Sequence, residues 1–369
     1  MKKQAILRCW AEIDHQALRS NLKKIRERIP KSTQVMGIVK ANAYGHGAVP
    51  IAKTLKKSGI RWFGVASSCE ALFLHEHGIR GSFLILGSAL PEEYEVIVRQ
   101  KFVPTISSFL EAKRFNEMAR HLRQKVSIHF KIDTGMGRLG SWWEEAERDL
   151  MRVTQLSHLK VTGIYTHFAS ADSDDALTRE QVRRFLQYIP WFKGKLIHAS
   201  NSAGFFGENR IALDCVRPGI SLYGYSPISQ KQKLFKPVMT WKTRITAIHP
   251  VSVGRTLSYG ATYRVTRDSR IAVLAAGYAD GYPRLLSNRG EVLVRGKRVP
   301  IRGRVTMDQI LVDISKVPDA REGDEVVLMG ISGKKTILAS ELAEMTGTIP
   351  YEILCGISER VSRIHLNYR

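Results

Sequence analysis

Cysteine is scarce in this chain and never clustered. Cys9, Cys69, Cys215 and Cys355 lie far apart, with no C-x-x-C pair. That excludes a disulfide framework or a zinc ribbon, and the four thiols are expected to be reduced in a cytosolic setting. Long apolar runs are missing too. No stretch approaches about 18 uninterrupted apolar residues, so no transmembrane helix is expected. Lys2 and Lys3 open the chain, but Gln4 and Arg8 interrupt the run that a signal peptide would need. The expected compartment is the cytoplasm, with no membrane partner. Low-complexity tracts and fixed repeats are also absent. Acidic side chains are the last shortage: 34 stand against 57 Lys and Arg, for a net charge of +23. Such an excess suits nucleic acid, an acidic membrane surface or anionic substrates. No zinc-finger spacing or aromatic-basic RNA motif accompanies it, so no nucleic-acid partner is expected. The charge alone names no partner.

What remains is an ordinary soluble composition, 44% hydrophobic and 25% charged, in 369 residues, enough for two domains. Residues 5–13 read as a short strand. Asp14 then caps a helix with Leu18, Leu22, Ile25 and Ile29 on its apolar face. From residue 35 to about residue 225, short apolar runs alternate with helical patterns. The runs are 35–39, 62–66, 83–86, 103–106, 126–132, 161–165, 196–198 and 216–222. Eight right-handed β-α units close into a (β/α)8 TIM barrel, which keeps its chemistry on the loops after the strands. From residue 237 the helical period fades and β-rich runs recur between turns, with one helix over 338–345 ending at Gly347. The expected fold is therefore α/β: a barrel over 11–236, and a mainly antiparallel β domain over 237–369 that also takes in residues 1–10.

Candidate chemistry falls at the barrel strand ends. Lys40 closes the first run, before a turn supplied by Gly45 and Gly47. It reads either as a solvated strand-end lysine or as an amine able to form a Schiff base. Lys131 alternates with apolar neighbours on a strand covered on both faces, so it is expected inside the barrel mouth. There it serves either a structural network with Asp133 or chemistry. Arg138 follows on a glycine-flanked turn and has the fork geometry to hold a carboxylate. His167 is either a packed residue or a base. Asn201 with Ser202, and Arg217 with the backbone of Gly219 and Ile220, follow the seventh and eighth strands. Barrels commonly bind phosphate in that place. Ser202 and the Gly219-Ile220 backbone are the expected phosphate ligands, with an ordinary turn as the alternative.

The run Lys40-Ala41-Asn42-Ala43-Tyr44-Gly45-His46-Gly47 resembles the pyridoxal-phosphate attachment segment of the alanine racemases, a family of fold-type III enzymes. The likeness extends over nearly the whole chain: Trp10 to Asp14, Lys131 to Gly140, Thr166 to Phe168, Ala199 to Ala203 and Val216 to Tyr223. In the second domain it includes Leu257 to Gly260, Gly277 to Tyr282, Gly303 to Gln309 and Pro350 to Glu352.

The resemblance implies the interconversion of L- and D-alanine by two bases, supplying D-alanine for peptidoglycan. Lys40 would carry pyridoxal 5'-phosphate and serve one face of the α-carbon. Tyr259 would serve the other from the second subunit of a head-to-tail homodimer. The cofactor would be held by Tyr44, His167, Asn201, Ser202, Arg217, Gly219, Ile220 and Tyr351, with Arg217 facing the pyridine nitrogen. Arg138 and the Met307 main chain would meet the substrate carboxylate. In many family members the lysine matching Lys131 is carbamylated, and the same is expected here. Tyr278 would narrow the entrance, with Asp172, Arg284 and Arg304 further out. No metal is implied. One departure is Thr306, where many relatives have cysteine. A broad-specificity amino-acid racemase of the same fold is the alternative reading.

Overall fold

The computed structural model describes residues 7–192, 194–207 and 211–368. They form two compact units: one of residues 18–43 and 48–236, the other of the N-terminal residues to Ala17, Tyr44–Gly47 and Pro237 onwards.

The first unit is a closed barrel. Its strands are β2 (Gln34–Ile38), β3 (Trp62–Val65), β4 (Ser82–Ile85), β5 (Val103–Ile106), β6 (Val126–Asp133), β7 (Leu159–Tyr165), β8 (Leu196–His198) and β9 (Cys215–Val216). Each pairs in parallel with the next, and β9 returns to β2 with Cys215 opposite Gln34. A parallel strand is covered on both faces, which is why these segments read as continuous apolar runs rather than alternations. The eight-strand expectation holds.

Helices α2 (Ala48–Lys57), α3 (Ser68–Glu76), α4 (Tyr94–Arg99), α5 (Phe109–His121), α6 (Ala146–Thr154) and α7 (Asp175–Leu186) follow strands β2 to β7. Their starts are written in the side chains. The Ser67 and Ser108 hydroxyls accept from the third helical N–H, at Glu70 and Glu111, and Asp174 does the same for Leu177. Ile51, Leu55, Ala71, Leu74, Ala112 and Phe115 bury the inner helix faces.

The second unit is built on an antiparallel sheet. Its long strand β10 (Met239–Val251) pairs with β11 (Ser269–Leu274) and β15 (Glu325–Ser332). β12 (Glu291–Val294) with β13 (Lys297–Pro300), β14 (Ile310–Asp313) and β16 (Lys335–Ile337) add further antiparallel pairs. The expected strand over 5–13 appears as β1 (Cys9–Asp14), with its first two positions, 5 and 6, outside the described residues. β1 pairs antiparallel with β10 and parallel with β17 (Ser362–Leu366), a partner some 350 positions away along the chain. Helix α1 (His15–Arg26) comes next, capped by Asp14 Oδ1 on the Gln16 N–H; it ends before Ile29. Helices α8 (Ala339–Thr346) and α9 (Pro350–Gly356) close the chain's helical content. Gly347 sits at φ +70°, the left-handed cap that its position after α8 predicts.

Candidate active site

Lys40 stands just past the end of β2, at the barrel mouth, and the segment after it is not an ordinary glycine turn. Ala41, Asn42, Ala43 and Tyr44 have φ of 52°, 52°, 54° and 53°. A left-handed turn of four side-chain-bearing residues costs roughly 1–2 kcal/mol for each of them, so the surroundings must impose it. The expectation that Gly45 and Gly47 make the turn is corrected: both have positive φ, but the turn begins four residues earlier. Ala43 N–H donates to Val39 O at 2.9 Å, and Asn42 Oδ1 accepts from Ala48 N–H at 2.7 Å, capping α2. Glu70 completes the clamp, accepting from Ala41 N–H and Ala66 N–H at 2.7 Å each. Gly45 is required for space as well: a Cβ there would lie 2.4 Å from Leu354 O.

Glu70→Gln leaves one amide oxygen to serve two N–H groups. It is expected to cost about 1 kcal/mol. Hydrogen exchange at the Ala41 and Ala66 amides should then speed up about fivefold. Unchanged protection there would show that the carboxylate does not hold the turn.

Inside the barrel, Lys131 on β6 is only 3% exposed. Burial, then the Arg138 and Arg217 charges, lower its pKa to about 8, and Asp133 offsets only part of this. Burial would raise the Asp133 carboxyl, but N–H groups of Gly135, Gly137, Arg138 and Met136 outweigh it and hold it below the usual range. Those donors, at 2.8–3.1 Å, wrap the Arg138 turn around one carboxylate. Lys131 therefore keeps little of the partner that a purely structural Lys131–Asp133 pair would need.

Arg217, just past β9, is 3% exposed and densely bonded. Its Nη2 donates to Thr166 O and Ala199 O at 2.7 Å and lies 3.3 Å from His167 Nδ1. Its Nη1 lies 2.6 Å from His198 Nδ1. Arginine only donates, so His198 must accept at Nδ1 and carry its proton on Nε2, facing His129 Nδ1 at 2.9 Å. Tyr165 stacks on His198 with centroids 4.7 Å apart. His167 and His198 are pushed well below the usual imidazole range, by burial first and Arg217 second. His129 falls to about 3 for the same two reasons. All three rings are neutral at pH 7, so the positive charge of this region rests on Lys131, Arg217, Arg138 and Lys40.

Ser202 Oγ accepts from Gly219 N–H at 3.0 Å and Ser221 N–H at 3.4 Å, while Ser221 Oγ is buried with no hydrogen-bond partner among the described residues. Asn201 acts locally, its Oδ1 accepting from Gly204 N–H at 3.0 Å. Asp172 is exposed on the loop before α7. An orphaned hydroxyl in a barrel whose interior gathers the charges of Lys40, Lys131, Arg138 and Arg217 suits an anionic ligand.

The remaining expected residues lie in the second unit. Tyr259 is 72% exposed on a turn whose neighbours Ser258, Gly260 and Ala261 all have positive φ. Ser258 Oγ donates to Arg304 O at 2.7 Å, and a Cβ on Gly303 would lie 2.6 Å from Ser258 Cβ, so the Arg304 loop backs this turn. Tyr278 and Met307 are exposed and their loops are locked together. Tyr278 N–H and Ala279 N–H donate to Thr306 O and Met307 O at 3.0 Å, and a Cβ on Gly277 would sit 2.2 Å from Met307 O. Arg284 is exposed nearby in sequence on the turn 284–286. The Tyr351 ring at the start of α9 is 5.9 Å from that of Tyr44. Burial, then Tyr351 and Cys355, push the Tyr44 phenol up, which keeps it a donor.

Several residues of consequence carried no signal in the sequence. Arg360 pairs with Asp280 at 3.0 Å and Asp308 at 2.9 Å, tying the Tyr278 loop to the Met307 loop. Gln181 joins Thr134 to the His167 carbonyl. Glu70, His129 and His198 belong with them. Each acts across a long sequence separation, and only the strand-end position of His198 hinted at a role.

The alanine racemase N-terminal domain family matches residues 13–227, and the alanine racemase C-terminal domain family matches residues 238–365. An alanine racemase of Methylacidiphilum infernorum is 44% identical over 362 residues, covering 98% of this chain and 93% of that one. The alanine racemase structure from Clostridium difficile 630 superposes with a TM-score of 0.92 at 35% identity, covering 98% of this chain and 97% of that one. One from Bartonella henselae, with covalently bound pyridoxal phosphate, superposes at 0.90 and 28% identity, covering 98% and 100%. On all three counts, and over nearly its full length, the chain belongs to the alanine racemase family.

Proposed function

We propose that this chain interconverts L- and D-alanine with pyridoxal phosphate held at the barrel mouth. The observation that carries the reading is the charge of that mouth: Lys40, Lys131, Arg138 and Arg217 converge there, and Asp133 is already committed to four backbone N–H groups. A doubly charged phosphate and a substrate carboxylate supply the missing anions. Pyridoxal phosphate, when bound, supplies the electron sink that acidifies the α-proton.

The chain's own residues then divide the work. The Lys40 amine holds the cofactor covalently and moves a proton on one face of the α-carbon. The Tyr259 phenol, offered to a second copy of the chain in a head-to-tail homodimer, moves a proton on the opposite face. Ser202, Tyr44, Tyr351 and the Gly219 and Ile220 amides hold the phosphate. Arg217 would meet the pyridine nitrogen as a fixed donor: Thr166 O, Ala199 O and His198 Nδ1 orient its guanidinium, and an arginine does not hand over its proton. Such a donor would leave that nitrogen unprotonated and the electron sink weak, favouring return of the proton to the α-carbon. Arg138 and the Met307 main chain receive the substrate carboxylate. Tyr278, Asp172, Arg284 and Arg304 line the approach, and Tyr278 with Tyr351 leaves room for a methyl-sized side chain. D-alanine made in the cytoplasm would supply peptidoglycan.

The test is incubation of the holoenzyme with L-alanine, L-serine and L-lysine in deuterated water. D-alanine carrying deuterium at the α-carbon is the expected product. Comparable rates on serine and lysine would instead favour a broad-specificity racemase. No D-alanine from a yellow, cofactor-loaded protein would overturn the proposal.

A further inference from the structure

The net charge of +23 is not spread evenly over the fold. Seven stretches run from the last turn of helices α1 to α7 to the strand that comes next. They are residues 23–33, 54–61, 73–81, 96–102, 118–125, 151–158 and 183–195. Among their described residues stand eighteen Lys and Arg and only two acids, Glu27 and Glu76. All seven lie at one pole of the barrel, where its strands begin. The stretches from the ends of β2 to β7 into the next helix, 39–51, 66–71, 86–95, 107–112, 134–149 and 166–178, reverse the balance. They hold three Lys and Arg, at Lys40, Arg138 and Arg148, and twelve acids.

Helix dipoles favour cations in a last turn and anions in a first turn, but that preference fades beyond the turn itself. Eight of the basic residues, including Lys31, Arg61, Arg80, Lys101 and Lys125, lie past the helix ends. None of the eighteen is buried. Between α1 and α2 they frame a groove of about 440 Å³ lined by Arg19, Leu22, Lys23, Arg26, Lys31 and Ser58, with Glu27 its one carboxylate; there Arg26 Nη2 donates to Ser58 O at 2.7 Å. The same pole exposes single large apolar side chains among the cations: Phe73, Met151, Leu186 and Trp191.

We propose that this pole docks the protein onto a bilayer of anionic phospholipid, with the barrel mouth facing away. Cations distributed over seven helix ends meet a plane of phosphates better than a single strand, which would follow a line. Isolated Trp, Phe and Leu side chains set among lysines and arginines are the composition of an interfacial anchor, with electrostatic attraction to lipid phosphates doing most of the holding. The groove admits one headgroup phosphate within reach of several donors. The expectation of no membrane partner is thereby narrowed: no helix among the described residues is long and apolar enough to cross a membrane, and docking requires none.

The holoenzyme is to be sedimented with vesicles of phosphatidylglycerol and phosphatidylcholine, and with vesicles of phosphatidylcholine alone. Partitioning onto the anionic vesicles should exceed that onto neutral ones by about fiftyfold or more. It should fall at least about tenfold when salt rises from about 0.1 M to about 0.5 M. The triple variant Lys23→Glu, Lys31→Glu, Lys56→Glu should lose about tenfold or more. Lys316→Glu, Lys334→Glu, Lys335→Glu, with the same change in net charge in the β domain, should stay within about twofold of the wild type. Trp191→Ala, which changes no charge, should lose several-fold, and all three variants should racemise alanine at the wild-type rate. Equal losses in the two triple variants would reduce the effect to net charge. Single-stranded RNA binding tighter than the vesicles at equal phosphate concentration and salt would point to nucleic acid. Either result overturns the proposal.

Discussion

Tyr259→Phe is expected to lower alanine racemisation by about a thousandfold, the scale of a positioned acid-base group. Stability should change by less than about 0.5 kcal/mol, because the ring is 72% exposed and the turn carrying it is held by Ser258, Gly260 and Gly303 rather than by its hydroxyl. In the proposed division Lys40 still serves one face of the α-carbon. The variant should therefore exchange the α-proton of one alanine enantiomer with deuterated water, with retention, while the other enantiomer stays silent. Loss of exchange from both, or racemisation within about tenfold of the wild type, would contradict the division of the two faces. Mixing protomers tests where Tyr259 acts. Lys40→Ala and Tyr259→Phe chains, each inactive alone, form heterodimers in which one site receives both intact residues. A statistical mixture should recover about a quarter of wild-type activity if the tyrosine crosses to the partner, and none if it serves its own chain.

How much of this was legible in the residues depends on what each feature is made of. The barrel strands are local: a buried parallel strand is a continuous apolar run, and eight of them in alternation with helices leave few other folds. The strand ends could be read for the same reason, which placed Lys40, His167, Ser202 and Arg217 just past barrel strands, where the structure has them. The β domain was seen only in part. The β-rich runs legible there are 243–248, 271–274, 291–294, 299–301 and 310–314, so β15, β16 and β17 were missed; β17 is recognisable only beside β1, at the other end of the chain. The left-handed turn at Ala41 to Tyr44 was hidden more deeply. Alanine and tyrosine do not announce positive φ, and the groups that impose it, Glu70 and the Ala48 N–H, act through space. Arg360 was invisible likewise, since neither Asp280 nor Asp308 stands near it in the chain. That 277–282 holds two glycines could be seen. That Gly277 is needed for contact with Met307 O, and Gly281 with Gly356 O, could not.

The buried Lys131 amine gives the second large effect, and its sign is set by linkage. Its pKa is about 8 in the folded chain, below the ordinary lysine value of 10.5. Between those two values the unfolded chain binds more protons than the folded one, so wild-type stability rises with pH across that window. Below pH 8 the amine is charged in both states and the penalty is present in full, on the order of 3 kcal/mol. Lys131→Met removes the titration. In buffer freed of carbon dioxide the variant should be more stable than the wild type at pH 7 by a few kcal/mol, and the difference should shrink between pH 8 and pH 10.5. Bicarbonate reverses the comparison. A pKa near 8 leaves a substantial neutral fraction of amine at neutral pH, free to add carbon dioxide, and the carbamate places an anion beside Arg138 and Arg217. Wild-type protein in bicarbonate should gain the mass of one carbon dioxide and about as much stability as the variant gained, while Lys131→Met should respond to neither. A flat wild-type stability profile from pH 8 to pH 10.5, or an intact mass that ignores bicarbonate, would show that the folded chain accommodates this amine as a cation. The site would then have to draw all its negative charge from the cofactor and the substrate.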